Sequence, residues 1–278
     1  MSLLEALAIG LAGLAAGTIN TIVGSGTLVT FPTLLFFGYA PVAANVSNSL
    51  GLVAGGVSGA WGYRHEMLGL RSTLVRLIPA SLAGGIAGAL LLLVLPESAF
   101  ETIVPVLIAL ALVLVVTGPR LNRWAAARRA GGTAEATTLS AEATSTFAAG
   151  EGTSATALEL GHWIALLAGV FFAGVYGGYF GAAQGVLLVG LLGVLLPLRL
   201  QQINGMKNVL SLFVNLIAAL VFLVVQPEQI IWPVVALIAG GSLLGGVLGA
   251  RIGRRMTPWL LRGVIVTIGI IAIVVLVS

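Results

Sequence analysis

The chain has 278 residues, 59% of them hydrophobic and only 8% charged, and its mean hydropathy is +1.12. Soluble domains carry about 25% charged residues, so the composition is that of a polytopic membrane protein. The net charge of +4 lacks the aromatic interleaving of a nucleic-acid surface, and the absence of cysteine excludes disulfides, thiolate metal sites and cysteine nucleophiles.

Ten hydrophobic segments follow in order, at roughly 3–23, 26–38, 45–63, 72–95, 99–118, 161–180, 184–198, 204–225, 230–250 and 258–277. Most reach the about 17–25 apolar residues that a spanning helix needs; the second and seventh are short. The first segment has no basic region before it and reads as a retained span rather than a cleaved signal. Residues 119–160, rich in Ala, Thr, Gly and Ser, cannot bury a core and read as a flexible linker. The expected organisation is a first repeat over 1–118, this linker, and a second repeat over 161–278.

The halves align in sequence. Gly17 pairs with Gly174 and Gly24 with Gly181 at an offset of 157, and Asn48 pairs with Asn208 at 160. LAGG at 82–85 matches IAGG at 238–241, at 156. Common residues in a constant order at a near-constant offset indicate an internal repeat. Arginine counting sets the orientation. Arg64, Arg71 and Arg76, then Arg120, Arg123, Arg128 and Arg129, then Arg199, and finally Arg251, Arg254 and Arg255 fall in loops that share one side if all ten segments cross. That side, linker included, is predicted to be cytoplasmic. Five crossings per half invert the second half. The expected fold is therefore an all-α polytopic membrane protein of two inverted repeats, each of about five segments with short broken helices.

Those breaks lie in 17–48 and 174–208. Irregular backbone within a bilayer is tolerated only where it is buried in protein or lines a cavity. Gly17, Gly24 and Gly26 are candidates to unwind a helix and expose backbone N–H groups to an anion; close helix packing by small residues is the competing reading. Asn20, Ser25, Thr27, Asn45, Ser47 and Asn48 tip the balance toward a site. In the second half the polar set is thinner: Tyr176, Tyr179, Gly181, Gln184, Asn204, Lys207 and Asn208, with Gln201 and Gln202 read as a wetted loop beside Arg199. Lys207 is either a counter-charge for an anionic substrate or a lysine snorkelling to the interface. All acidic residues are Glu in loops or at segment ends. No acid, base or nucleophile constellation indicates an enzyme, and neither a cofactor nor a metal site is indicated.

The runs AGTINTIVGSGTLVTFPTLLFFGYAPVAANVSNSLGLVAGGVSGAWGYR and NGMKNVLSLFVNLIAALVF resemble the sulfite exporter TauE/SafE family, over both halves and all but the linker. The pattern is carried by Gly17, Asn20, Gly24 and Gly26, then Asn45, Ser47, Asn48 and Gly59 to Arg64. Thr27 departs from it, since many relatives continue the glycine run there. The resemblance implies an inner-membrane exporter of sulfite, an organosulfonate or a related small sulfur anion. Uncharged donors plus one lysine fit such an anion; a cation site would want carboxylates. The expected function is secondary transport by alternating access. A coupling proton would have to ride on water, the lysine or the substrate itself. The alternatives are a passive anion channel and a non-transporting membrane assembly subunit. Expected partners are the anion and the lipid bilayer, with no nucleic acid and no oligomeric state specified.

Overall fold

The computed structural model describes residues 1–96, 98–100, 102–117 and 152–252, with Thr267 and Ile270. Most of the expected tenth segment, most of the linker and Arg254 and Arg255 lie outside the described residues. The helices are α1 (Leu3–Ile22), α2 (Thr27–Phe36), α3 (Pro41–Gly62) and α4 (Arg71–Val94), followed by α5 (Ser98–Thr117). After the linker come α6 (Gly152–Tyr179), α7 (Gln184–Leu195), α8 (Leu200–Val225) and α9 (Trp232–Ile252).

Six of them, with α6 counted over Leu160–Tyr179, are long and apolar enough to cross a membrane. α3 has the length, at 22 residues, but Asn45, Ser47, Asn48, Ser49 and Ser58 dilute its hydropathy. α2 and α7 have 10 and 12 residues. At 1.5 Å per residue they reach roughly 15 and 18 Å, about half of a ~30 Å hydrocarbon core.

Three element starts differ from expectation. α3 opens at Pro41, because proline in a first helical turn forfeits no hydrogen bond and brings the right φ. α8 opens at Leu200, so Gln201 and Gln202 are helical rather than part of a wetted loop, and Gln202 Oε1 accepts the Arg199 N–H at 3.0 Å. α6 starts at Gly152, inside the expected linker.

Glycine sets how the helices pack. Along α1 and α9, Gly13 faces Ile238, Gly17 faces Ser242, Gly245 faces Leu14 and Gly249 faces Thr18. A Cβ at Gly17 would run into the Ser242 carbonyl, so only glycine lets the backbones approach this far. α3 joins the same stack, with Gly51 on Ile238 and Gly55 on Ser242. Residue numbers rise together along each contact, so α1, α3 and α9 run parallel. α4 meets α6 through Gly84 on Phe171 and Gly88 on Val175. It meets α8 through Gly85 on Val214 and Ser81 Oγ donating to Leu210 O at 3.1 Å. These three are parallel to one another as well. Between the two stacks α3 and α8 are antiparallel, since Gly56 faces Leu212 while Gly205 faces Tyr63 and Met67.

The contacts correct the expected register of the repeat. Gly84 on Phe171 and Gly88 on Val175 correspond to Gly245 on Leu14 and Gly249 on Thr18. The matching runs are therefore SLAGGIAG at 81–88 and SLLGGVLG at 242–249, offset by 161 (242−81), rather than LAGG with IAGG. Packing depends on which glycine meets which backbone, and a four-letter string match does not see that.

Helix direction also sorts the charges. Arg64 after α3, Arg71 opening α4, Arg199 before α8 and Arg251 ending α9 lie at one end of the stacks; Glu5 in α1 and Glu228 between α8 and α9 lie at the other. The side chains facing outward between these ends include Phe172 at 67% exposure, Leu244 at 62% and Val113 at 57%, a surface suited to lipid tails.

Candidate functional site: the junction of two helix breaks

α1 and α6 each end at a glycine in the left-handed region, Gly24 with φ +89° and Gly181 with φ +77°. This conformation favours glycine because it carries no Cβ penalty. Short connections, 37–40 and 196–199, then return α2 and α7 toward the starts of α3 and α8. Each half so forms a hairpin, and the two tips touch: Gly185 N–H donates to Gly24 O at 3.0 Å. A Cβ on either glycine would collide with the other's Cα.

A helix break leaves carbonyls without partners at one helix end and N–H groups without partners at the next helix start. At the first break the carbonyls are met by α8. Lys207 Nζ donates to Asn20 O at 2.9 Å and to Thr21 O at 3.0 Å, while Asn208 Nδ2 donates to Thr21 O at 3.3 Å. At the second break Asn45 Nδ2 donates to Tyr179 O at 2.9 Å. The negative ends of α1 and α6 are thus occupied by donors, leaving the positive starts of α2 and α7 as the electrostatic bias of the junction.

Lys207 is fully buried and is the chain's sole lysine. Its Nζ partners are neutral carbonyl oxygens, and its stem lies against Gly185. It does not snorkel: the ammonium points into the junction rather than to an interface. Beside the touching tips, Ser25 Oγ and Gln184 Nε2 are buried with no intramolecular hydrogen bond. Buried polar groups are normally paired, so these two atoms are open to partners from another molecule.

A family profile described as "Sulfite exporter TauE/SafE" matches residues 9–276. The chain belongs to the TauE/SafE family. A probable membrane transporter protein of Haemophilus influenzae is 27% identical over 256 residues, covering 91% of this chain and 87% of its own length. The probable membrane transporter YfcA of Escherichia coli is 24% identical over 254 residues, covering 91% and 82%. No solved structure matches. Belonging to TauE/SafE makes this a multi-pass protein of a membrane-transporter family.

Not every residue singled out from the TauE/SafE-like runs reaches the junction. Gly24, Ser25, Gly26, Thr27, Asn45, Asn48, Gly181, Gln184, Lys207 and Asn208 gather there or on its wall. Asn48 accepts from Thr30 and donates to Thr27 Oγ1 at 3.3 Å, tying α2 to α3. Asn20 contributes its carbonyl. Gly17 does not unwind anything; it is mid-helix, packed on Ser242. Ser47 faces away, its Oγ accepting the Ile231 N–H at 2.9 Å just before α9. Asn204 is buried on α8, and Tyr176 is half-buried on the last turns of α6. Thr21 and Thr30 were not singled out, and Tyr179 was expected for its side chain rather than its carbonyl. Thr21 and Tyr179 act through backbone carbonyls, which any residue type supplies; Thr30 lies three residues beyond Thr27 on the same helix face, and that spacing was its only sequence signal.

Proposed function

We propose that this protein is a secondary transporter exporting a small sulfur-containing anion, such as sulfite, an organosulfonate or a related acid, and that the junction of the two breaks is its substrate site. One observation carries the reading: a fully buried lysine sits at the contact of the two hairpin tips with only neutral carbonyls as hydrogen-bond partners. An ammonium inside a span costs up to roughly 2.5–3.5 kcal/mol on insertion scales, the value at a helix centre, and an anion is the natural compensation. Ser25, Gln184 and the starts of α2 and α7 supply uncharged donors beside it. Sulfite itself is the substrate class suggested by the family's description.

The opposed stacks support two inverted repeats, 1–118 and 161–278, joined by a linker over 119–160. With the arginine-bearing end placed in the cytoplasm of an inner membrane by the positive-inside rule, the linker is cytoplasmic too. Alternating access then consists of rocking one stack against the other about the Gly24–Gly185 contact, with the short α2 and α7 as the moving walls. No enzymatic step is needed. Saturable sulfite counterflow in proteoliposomes tests the reading. The wild type is expected to exchange labelled sulfite and Lys207→Gln to fall at least about tenfold, or 1.4 kcal/mol. Unitary currents in a planar bilayer, or full counterflow by Lys207→Gln, would contradict it.

A further inference from the structure

At the arginine-bearing end the last turns of α3 and α9 enclose a cavity of about 390 Å³, lined by Arg64, His65 and Arg251 together with Ser58, Trp61 and Ala250. The parallel packing of the two helices creates it. Gly62 lies on Ala250 and Gly246 on Ser58, so both helices finish side by side. That brings together two arginines 187 residues apart (251−64). A helix C-terminus favours a cation, which explains an arginine at each end. It does not explain two arginines lining one cavity.

Among the described residues no carboxylate lines this cavity; Glu66, next to His65 in the chain, is not part of the described wall. Arg64 is held in place, its guanidinium 4.5 Å over the Trp61 ring and its Nη1 donating to Trp61 O at 2.9 Å. A guanidinium has five N–H donors in a rigid fork, so most of them remain for a ligand. Trp61 is 67% exposed, which puts the mouth of the cavity beside an indole of the kind that sits at headgroup level. Basic pockets between membrane helices hold phosphate headgroups by this chemistry. The cavity and the hairpin junction are neighbours with Thr21 between them: its side chain packs on Gly59 and Gly249 beside the cavity wall, and its carbonyl faces Lys207.

We infer that the cavity between the ends of α3 and α9 is an oxyanion site, in which Arg64 and Arg251 grip a phosphate-type group with Ser58 and His65 beside it. The group is either the phosphodiester of an anionic lipid or a dissolved inorganic oxyanion. The inference does not depend on what the junction carries.

The test uses the full chain, purified in a neutral detergent, as wild type, R64Q/R251Q, R64K/R251K and K207Q. One arm titrates inorganic phosphate by calorimetry. The other measures retention of phosphatidylglycerol against phosphatidylcholine by native mass spectrometry. Wild type is expected to bind in at least one arm: retention of phosphatidylglycerol alone identifies a headgroup site, and phosphate binding alone a water-facing one. R64Q/R251Q is expected to weaken that binding at least about tenfold. R64K/R251K should recover part of it, since charge returns without the planar fork, and K207Q should bind as wild type. Wild type binding neither probe, or R64Q/R251Q binding both unchanged, would overturn the inference. If R64Q/R251Q does not fold, a R64K/R251K protein that binds no more weakly than wild type overturns it equally.

Discussion

At the α1–α2 break the carbonyls of Asn20 and Thr21 are met by a lysine ammonium and an asparagine amide, whereas at the α6–α7 break the carbonyl of Tyr179 is met by the amide of Asn45 alone. The backbone problem is the same in both places, a helix ending at a left-handed glycine inside apolar surroundings. The second break shows that a neutral amide is enough to cap such an end. A lysine at the first break is therefore more than capping a carbonyl requires, and a lysine within a span is costly. The difference separates what holds the hairpins together from what the junction does.

The comparison can be broken most severely at the tips. Gly24→Ala adds a Cβ in a left-handed conformation, at about 1–2 kcal/mol, and drives it into Gly185. Transport is expected to vanish and the melting temperature to fall, by fluorescence-detected size exclusion on heating. Lys207→Gln comes next. It removes the charge and keeps an N–H donor for the α1 carbonyls on a side chain one atom shorter, so thermal stability should fall less than for Gly24→Ala while sulfite affinity drops at least about tenfold. Asn45→Ala should reverse that pattern. Leaving Tyr179 O unpaired costs about 1–3 kcal/mol, a clear loss of thermal stability, while affinity stays within about threefold of wild type. Ser47→Ala is the smallest. Losing one hydrogen bond to the Ile231 N–H costs about 1 kcal/mol and should leave counterflow unchanged, since Ser47 lies away from the junction.

Much of this was legible in the sequence because bilayers make simple demands. Segment length and apolarity located the helices, and glycine with polar residues inside apolar runs located the two breaks. Lys207 stood out because lysine is costly there. Other features were not legible because they depend on facing partners. Gly17 and Gly24 look alike as letters, yet one packs against Ser242 and the other turns the chain. Ser47 and Asn48 are neighbours, yet one ties α3 to the start of α9 and the other ties it to α2. The repeat register of SLAGGIAG and SLLGGVLG needed the backbone contacts, and Thr21 needed its carbonyl. The basic cavity was hidden for a related reason, since Arg64 and Arg251 were each explained by the positive-inside rule until helix packing brought them together.

The central claim is that the charge of Lys207 serves an anion and not the helix cap. Calorimetric titration of sulfite into purified wild type and Lys207→Gln tests it directly, with melting temperature recorded on the same samples. The account predicts saturable binding by wild type, and binding weakened at least about tenfold in a variant that melts close to wild type. Equal sulfite affinity in the two proteins would contradict it.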